Sequence, residues 1–367
     1  MAYIERYGHG GDLLTARQLF LMDSKQLLDF SANINPLGPP PRLIELLKEQ
    51  VETIVHYPDP AHRILKQELA KKHSVLPEQI LIGNGAAECI SLVILGLQPQ
   101  TAGVIYPCFS EYEQLAAAYG AKIKPCYGKL ENDFKPNRSD LLQLIAETDL
   151  VFVGHPNNPT GVLYSREELI EMAEQAQKTN TYLVIDEAFI DFLPNPKQTS
   201  LLKELDRFKQ VILLRSMTKF YAIPGLRLGY ALAHPGLIAK LQAKQVTWSV
   251  NQMALIAGEA ALNEKEHEEK TIVLVQEQRN NVKRSIEENL GWRVFPGQAN
   301  FLLVRITDKM TAAELQWSMG QKGILIRSCA MYPGLTKQDF RIAIRTEKEN
   351  QCLIQALIEV YIKNETW

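Results

Sequence analysis

Ser216-Met217-Thr218-Lys219, followed by Gly225-Leu226-Arg227-Leu228-Gly229-Tyr230, is the stretch of this sequence best equipped for chemistry. The lysine stands just past an apolar run at 211–214, beside two hydroxyls, with Arg227 a short way downstream. A lysine amine is a strong nucleophile only when deprotonated, and it then forms Schiff bases with carbonyls. Ser216, Thr218 and Arg227 are suited to holding a phosphate. Together they suggest a phosphorylated aldehyde cofactor, pyridoxal 5′-phosphate. Alone, Ser-x-x-Lys also fits a solvated lysine after a strand.

Other polar clusters ask for a common scaffold. Short apolar runs at 79–82, 103–106, 150–153, 182–185 and 211–214 alternate with helical patterns. One helical segment, 165–177, opens with the capping box Ser165-x-x-Glu168, in which each partner satisfies a backbone N–H near the other. Strands alternating with helices predict an α/β domain with a mostly parallel sheet. Ligands bind beyond the carboxyl ends of the strands in such sheets, and that is where the clusters fall. Gly83-Asn84-Gly85-Ala86-Ala87-Glu88 follows the first run. Its small residues let backbone N–H groups at a helix N-terminus approach a phosphate. Pro107-Cys108-Phe109-Ser110-Glu111-Tyr112 follows the second and offers aromatics to stack on a flat ring. Pro156-Asn157-Asn158-Pro159-Thr160-Gly161 follows the third, Asp186-Glu187-Ala188-Phe189 the fourth, and Lys219 the fifth.

Each cluster has a plainer reading. Gly83-x-Gly85-x-x-Glu88 resembles a dinucleotide fingerprint whose third glycine is missing. Asn-Pro-Thr-Gly serves as a simple turn in many chains, and Asp186 would make an ordinary helix cap. A nicotinamide dehydrogenase built on the Gly83 loop leaves Lys219 and the 157–161 turn unexplained. The joint occurrence in this order favours the cofactor site.

Apolar residues at 272, 275, 282, 286 and 290 predict a long amphipathic helix after a charged break at 263–270. Strand-like runs at 300–305 and 340–345 follow, with a helix between them and another at the end. These predict a smaller α+β domain completed by an N-terminal arm. The expected division is 46–265 for the large domain, with 1–45 and 266–367 forming the small one.

Composition narrows the class. The chain has 367 residues, 46% hydrophobic and 22% charged, the profile of an ordinary globular protein. A formal charge of −2 and a pI near 6.4 argue against nucleic acid as a partner. The N-terminus carries an acid and lacks an apolar core, unlike a signal peptide, and the longest apolar stretch, near 89–97, is too short to span a bilayer. Five cysteines without a C-x-x-C pair read as reduced thiols in a cytoplasmic protein.

The ordered set resembles the fold-type I pyridoxal-phosphate enzymes of the aminotransferase class, across essentially the whole chain. The resemblance implies that Lys219 carries the cofactor, Asp186 pairs with its pyridinium nitrogen, Asn158 bonds its phenolic oxygen and Phe109 stacks on its ring. Gly85, Ala86, Ser216 and Arg227 would hold its phosphate, and Tyr57 would reach across the interface of a homodimer; no metal is implied. A buried carboxylate keeps the ring nitrogen protonated, so that the ring accepts the electrons of a breaking bond. One position departs from the pattern. Where many of these enzymes have a tyrosine three residues after the aspartate, this chain has Phe189. Losing a donor to a phenolate disfavours the deprotonated lysine–cofactor bond, whose pKa is therefore expected above that of tyrosine-bearing relatives. A tolerated packing variant is the plainer account.

Arg341 and Arg345 lie on one face of an alternating run, and Arg327 ends another apolar run. A plain reading leaves at least one of them on a solvated face. Converging guanidiniums would suit a substrate with more than one anionic group. His9 and the string Ser31-Ala32-Asn33-Ile34-Asn35-Pro36-Leu37-Gly38 are suited to closing over an anion. The strings at 30–38, 186–192, 218–230, 326–330 and 332–335, with His9-Gly10-Gly11, are similar to the threonine-phosphate decarboxylases of cobalamin biosynthesis. That family is related to the histidinol-phosphate aminotransferases. The resemblance implies loss of CO2 from L-threonine O-3-phosphate to leave (R)-1-amino-2-propanol O-2-phosphate. Arg341 would hold the α-carboxylate and Arg327 the substrate phosphate, with His9, Asn33 and Asn158 nearby and the part of Arg345 open. Decarboxylation requires the carboxylate to stand out of the plane of the cofactor ring, and the anchoring of the two anionic ends sets that orientation. The alternative is transamination of histidinol phosphate with a keto acid. A non-catalytic regulator would carry a DNA-binding segment, for which there is no room ahead of residue 30.

Overall fold

The structure, a computed structural model, describes residues 10–23 and 26–365. After an N-terminal helix, Leu13–Phe20, and a short strand β1 (Leu28–Asp29), the chain builds a seven-stranded sheet. Its strands are β2 (Ile80–Gly83), β3 (Thr101–Tyr106), β4 (Lys122–Tyr127), β5 (Leu150–Gly154), β6 (Tyr182–Asp186), β7 (Val211–Ser216) and β8 (Gly229–Ala233). They lie in the order β2-β8-β7-β6-β5-β3-β4. β8 runs antiparallel to both its neighbours, and every other pairing is parallel. Parallel strands covered on both faces read as near-continuous apolar runs. Here Val151, Val153, Leu183, Ile185 and Leu213 enter the core on one face of the sheet. Leu150, Phe152, Val184, Ile212 and Leu214 enter the core on the other.

The five strands expected from the sequence all form, each longer at one end or shifted by a residue. Two more were not read. β4 alternates charge and contains Pro125, which an edge strand tolerates because its outer N–H groups need no partner. β8, Gly-Tyr-Ala-Leu-Ala, follows so closely on the lysine cluster that its short apolar run merges with it.

The small unit holds an antiparallel sheet ordered β12-β13-β10-β9, from β9 (Arg293–Val294), β10 (Phe301–Arg305), β12 (Arg327–Ser328) and β13 (Asp339–Ala343). β11 (Ile324–Leu325) pairs in parallel with β1, which ties in the N-terminal arm. Helices Ala312–Gln321 and Glu347–Glu365 complete it around a core containing Phe30, Trp292, Phe340 and Leu357. The long helix runs Lys265–Leu290, so the charged run at 265–270 is its first turns and not a break. Glu266 and Glu268 there complement the helix N-terminus, and Glu266 pairs with Lys270 at 2.7 Å. Its Val275 packs in the large core and its Val282 in the small one. Leu43, just ahead of the expected boundary, also packs in the large core. Cys89, Cys108, Cys126 and Cys329 are buried free thiols, and Cys352 is exposed. Among the described residues no helix is long and apolar enough to cross a membrane.

Candidate active site

Lys219 sits in a helical turn of four residues, Met217–Phe220, that opens where β7 ends. Its ammonium is destabilised by burial, and next by the charges of Arg341 and Arg227, which push its pKa down to about 8. A lysine poised there is far more often a free amine than one in water. The two arginines come from different parts of the chain, Arg341 from β13 of the small unit and Arg227 from the loop ahead of β8.

Around Arg227 the residues expected to hold a phosphate lie close together. Gly85 caps helix Ala86–Leu97 at φ 82°, a left-handed conformation that favours glycine, and a Cβ on it would lie 2.7 Å from Arg227 Nη2. Gly229 faces Ser216 across the β7–β8 pair, and a Cβ on it would lie 2.5 Å from the Ala86 amide nitrogen. Gly85, Ala86, Ser216 and Arg227 therefore gather at the N-terminus of a 12-residue helix. That combination of unpaired N–H groups, dipole and guanidinium favours an oxyanion. The Ser216 and Thr218 hydroxyls are 2.7 Å apart.

Asp186 ends β6 beside β7. Burial pushes its pKa up, while hydrogen bonds from the Tyr112 hydroxyl (2.7 Å to Oδ2) and the Ala188 amide (3.0 Å to Oδ1) oppose that. Two donors only partly offset the cost of burying this carboxylate's charge, so its ionised form calls for a cation. The protonated ring nitrogen of pyridoxal phosphate is such a cation, so the residues present fit the group. Tyr112 lies flat on Phe152, with centroids 5.0 Å apart and planes 3° from parallel, and meets Phe109 edge-on. Its hold on Asp186 went unread in the sequence, where Tyr112 figured only as a stacking aromatic; its position three residues after Phe109 was the available signal.

Asn157 Nδ2 donates to Pro107 O and to Thr160 Oγ1, both at 2.8 Å, fixing the turn that presents Asn158. Asn158 Oδ1 accepts from Arg341 Nη1 at 2.5 Å. Arg341 also donates to Ser31 O at 2.7 Å and lies over the Phe301 ring. Arg327 stands directly opposite Arg341 on β12, 1% exposed, over the ring of Tyr332. Asn33 is also buried, and its Oδ1 has no hydrogen-bond partner among the described residues.

The remaining expected residues fall elsewhere. Arg345 donates twice to Glu349 Oε1, at 3.0 and 2.7 Å, and to Asp29 O. It lies past the end of β13 and not on the strand with Arg341; Glu349 on the following helix matches its charge, and it braces the N-terminal arm. Tyr57 is 80% exposed and stacks on Trp248 at 4.6 Å. Phe189 is buried edge-on against Phe301. His9 lies outside the described residues.

Comparison with known proteins places this geometry. The chain is 38% identical over 353 residues to a threonine-phosphate decarboxylase of Salmonella typhimurium, covering 96% of each. It is 34% identical to an adenosylcobalamin biosynthesis bifunctional protein of Leptospira interrogans, covering 96% of this chain and 41% of that longer one. The histidinol-phosphate aminotransferase structure from Clostridium acetobutylicum superposes with a TM-score of 0.86 at 32% identity, over 92% of this chain and all of that one. Residues 25–357 match the family described as aminotransferase class I and II. The strand-end lysine, the buried aspartate and the glycine-lined helix N-terminus are thus set in a fold shared over most of this chain with these proteins, and the chain belongs to the class I and II aminotransferase family.

Proposed function

We propose that this chain is a pyridoxal-phosphate-dependent decarboxylase of L-threonine O-3-phosphate in cobalamin biosynthesis. It would release CO2 and leave (R)-1-amino-2-propanol O-2-phosphate. The observation that carries the substrate is the pairing of Arg327 with Arg341 across β12 and β13, two buried guanidiniums side by side. They suit a small substrate with two anionic ends, because guanidinium grips carboxylate and phosphate through paired donors. The similarity to the threonine-phosphate decarboxylase of Salmonella supports the same reading.

When bound, pyridoxal phosphate supplies the electron sink for the bond to be broken. The chain's residues supply the rest. Asp186, with Tyr112 behind it, holds a positive charge at the ring nitrogen. Arg227, Ser216 and the helix N-terminus at Ala86 hold the cofactor phosphate. Arg341 anchors the α-carboxylate and Arg327 the substrate phosphate, with Asn33 and His9 as further substrate-binding residues in this reading. Two fixed ends leave the substrate little rotational freedom, which is the positioning a decarboxylase needs. Lys219, with a pKa near neutrality, can hold a proton and return it to Cα after CO2 departs.

The working unit is a homodimer in this reading. Ile54, Val55 and Tyr57 are exposed apolar side chains close in sequence, and the half-exposed Trp248 stacks on Tyr57, an unusual concentration for a solvated face. A second copy covering them would bring Tyr57 to the neighbouring cofactor phosphate.

The test is incubation with pyridoxal phosphate and O-phospho-L-threonine without a keto acid, following CO2 and the phosphorylated amine. Sustained CO2 release over many turnovers is expected. No CO2, with turnover of histidinol phosphate and 2-oxoglutarate instead, would overturn the proposal in favour of transamination.

A further inference from the structure

The turn that carries Lys219 is too short to hold itself. A helix leaves its last carbonyls without partners of its own, and a single turn gains too few hydrogen bonds to offset the ordering of its backbone. Two carbonyls at the C-terminal end of this turn are bonded from outside. Lys219 O accepts from the backbone N–H of Asn35 at 3.0 Å, and Phe220 O accepts from Asn35 Nδ2 at 2.6 Å. The Ala222 amide reaches Lys219 O only at 3.4 Å.

Asn35 is itself fixed. It is 3% exposed. Its second amide hydrogen goes to Thr271 Oγ1 at 2.8 Å, and its Oδ1 accepts from the Leu37 amide at 3.0 Å. His267 Nε2 lies 3.4 Å from the same nitrogen, beyond those shorter bonds. The stretch just before it is held from the small unit: Arg345 donates to Asp29 O, Ala343 N to Phe30 O, and Arg341 to Ser31 O. One continuous segment, 29–35, therefore runs from the arginine placed at the substrate carboxylate to the backbone of the nucleophilic lysine. Asn33 lies between.

We propose that Asn35 is a positioning residue for Lys219, a cap supplied from far along the chain that fixes the height of the lysine turn and couples it to the segment braced by Arg341. Asparagine suits the task because it donates two hydrogen bonds and accepts one from a planar group. Aspartate of the same shape would set an oxygen against Phe220 O. The inference rests on Lys219 as the cofactor-bearing residue and is independent of which substrate is turned over.

The experiment compares Asn35→Leu and Asn35→Ser with Thr271→Val in the full chain. Leucine keeps the branched skeleton, with bulkier ends, and loses both side-chain donors; serine keeps a hydroxyl but is too short to reach Phe220 O. Thr271→Val removes one acceptor and leaves both bonds to the lysine turn. The first readout is the pH dependence of acylation at Lys219 in the chain without pyridoxal phosphate, mapped by mass spectrometry. A loosened turn lets water reach the amine, so in both Asn35 variants the midpoint should rise from about 8 toward the ordinary lysine value, by about one unit. The second readout is steady-state turnover with pyridoxal phosphate bound, where kcat should fall by about tenfold or more with KM nearly unchanged. Thr271→Val should keep the wild-type midpoint and kcat. Folded Asn35 variants with the wild-type midpoint would overturn the proposal, as would a Thr271→Val variant that shifts as far as they do. If Asn35→Leu does not fold, Asn35→Ser decides. The acylation midpoint needs no substrate, so a failure of the decarboxylase reading leaves this test intact.

Discussion

The Arg341 guanidinium and the Asn158 side-chain oxygen meet at 2.5 Å, joining the strand β13 of the small unit to the turn after β5 of the large one. Arg341 also depresses the pKa of Lys219 through its charge. The residue proposed to receive the substrate carboxylate is thus already in electrostatic contact with two residues proposed to hold the cofactor. A carboxylate arriving at Arg341 would partly neutralise that charge and let the lysine bind its proton more tightly. The order is useful: the lysine gives up its proton more readily before substrate binds and holds one more tightly afterwards.

Arg341→Gln should weaken the reaction in two separable ways. Loss of a buried charge-assisted contact should lower kcat/KM by about 10²–10³-fold, from an interaction of about 3–5 kcal/mol. Removal of a neighbouring cation should also raise the pKa of Lys219, readable as a higher acylation midpoint. Unchanged kcat/KM would remove Arg341 from the substrate site.

Tyr112→Phe removes one of the two donors that keep Asp186 ionised. The carboxylate pKa, already raised by burial, should rise further, so the acidic limb of the pH–rate profile should move to higher pH. A hydrogen bond to a charged group contributes about 1.5–3 kcal/mol, so activity at neutral pH should fall by about tenfold or more. A profile superimposable on wild type would show that Tyr112 only packs.

Phe189→Tyr tests the one departure from the aminotransferase pattern. Phe189 is buried against Phe301, and a hydroxyl there would add a donor near the cofactor's phenolic oxygen. The pH titration of the visible absorbance of the loaded enzyme should shift to lower pH. No shift would mean that the phenylalanine is a packing choice.

Acid stability should be limited by buried histidine. His155 is fully buried, its Nδ1 accepts from the Tyr164 amide, and burial depresses its pKa to about 4. A depressed pKa contributes stability that is present above the unfolded value of 6.5 and lost as pH falls through the folded one. The loss between those limits should be about 3 kcal/mol. Urea midpoints measured from pH 7 to pH 4 should fall accordingly, and His155→Gln should flatten the dependence.

Val55→Asp, on the exposed apolar face beside Tyr57, should convert a dimer into monomers by light scattering and abolish most activity. A variant that stays dimeric would place the interface elsewhere.

The parts of the fold set by local pattern were readable in the sequence. The buried strands β5, β6 and β7 are short runs of branched apolar residues, and Ser165 with Glu168 marked the start of helix Arg166–Thr179. The polar clusters fell at strand ends because a parallel sheet leaves few other places for them. What escaped depends on contacts distant in sequence. Tyr112 is 74 residues from Asp186, and Asn35 is 185 residues from Phe220; the spacing of Tyr112 from Phe109 hints at a shared site but does not name Asp186, and nothing local marks Asn35. Arg345 looked like Arg341 by face alone, but Glu349, four residues on, claims its charge. β4 was hidden by its lysines and Pro125, which is the sequence of an edge.

The reversed strand β8 has a consequence for how the chain is made. β2 lies at the margin of the sheet with β8 as its one neighbouring strand, pairing Ile80 with Leu232. Everything from residue 84 to 228 must therefore leave the ribosome before this apolar strand finds its place. At about 5–20 residues per second, that is a delay of many seconds during which Ile80, Leu81 and Ile82 await a partner. The segment that ends in the phosphate loop would be the last part of the large sheet to close, and the nascent chain would be most open to aggregation or to chaperone capture in that interval.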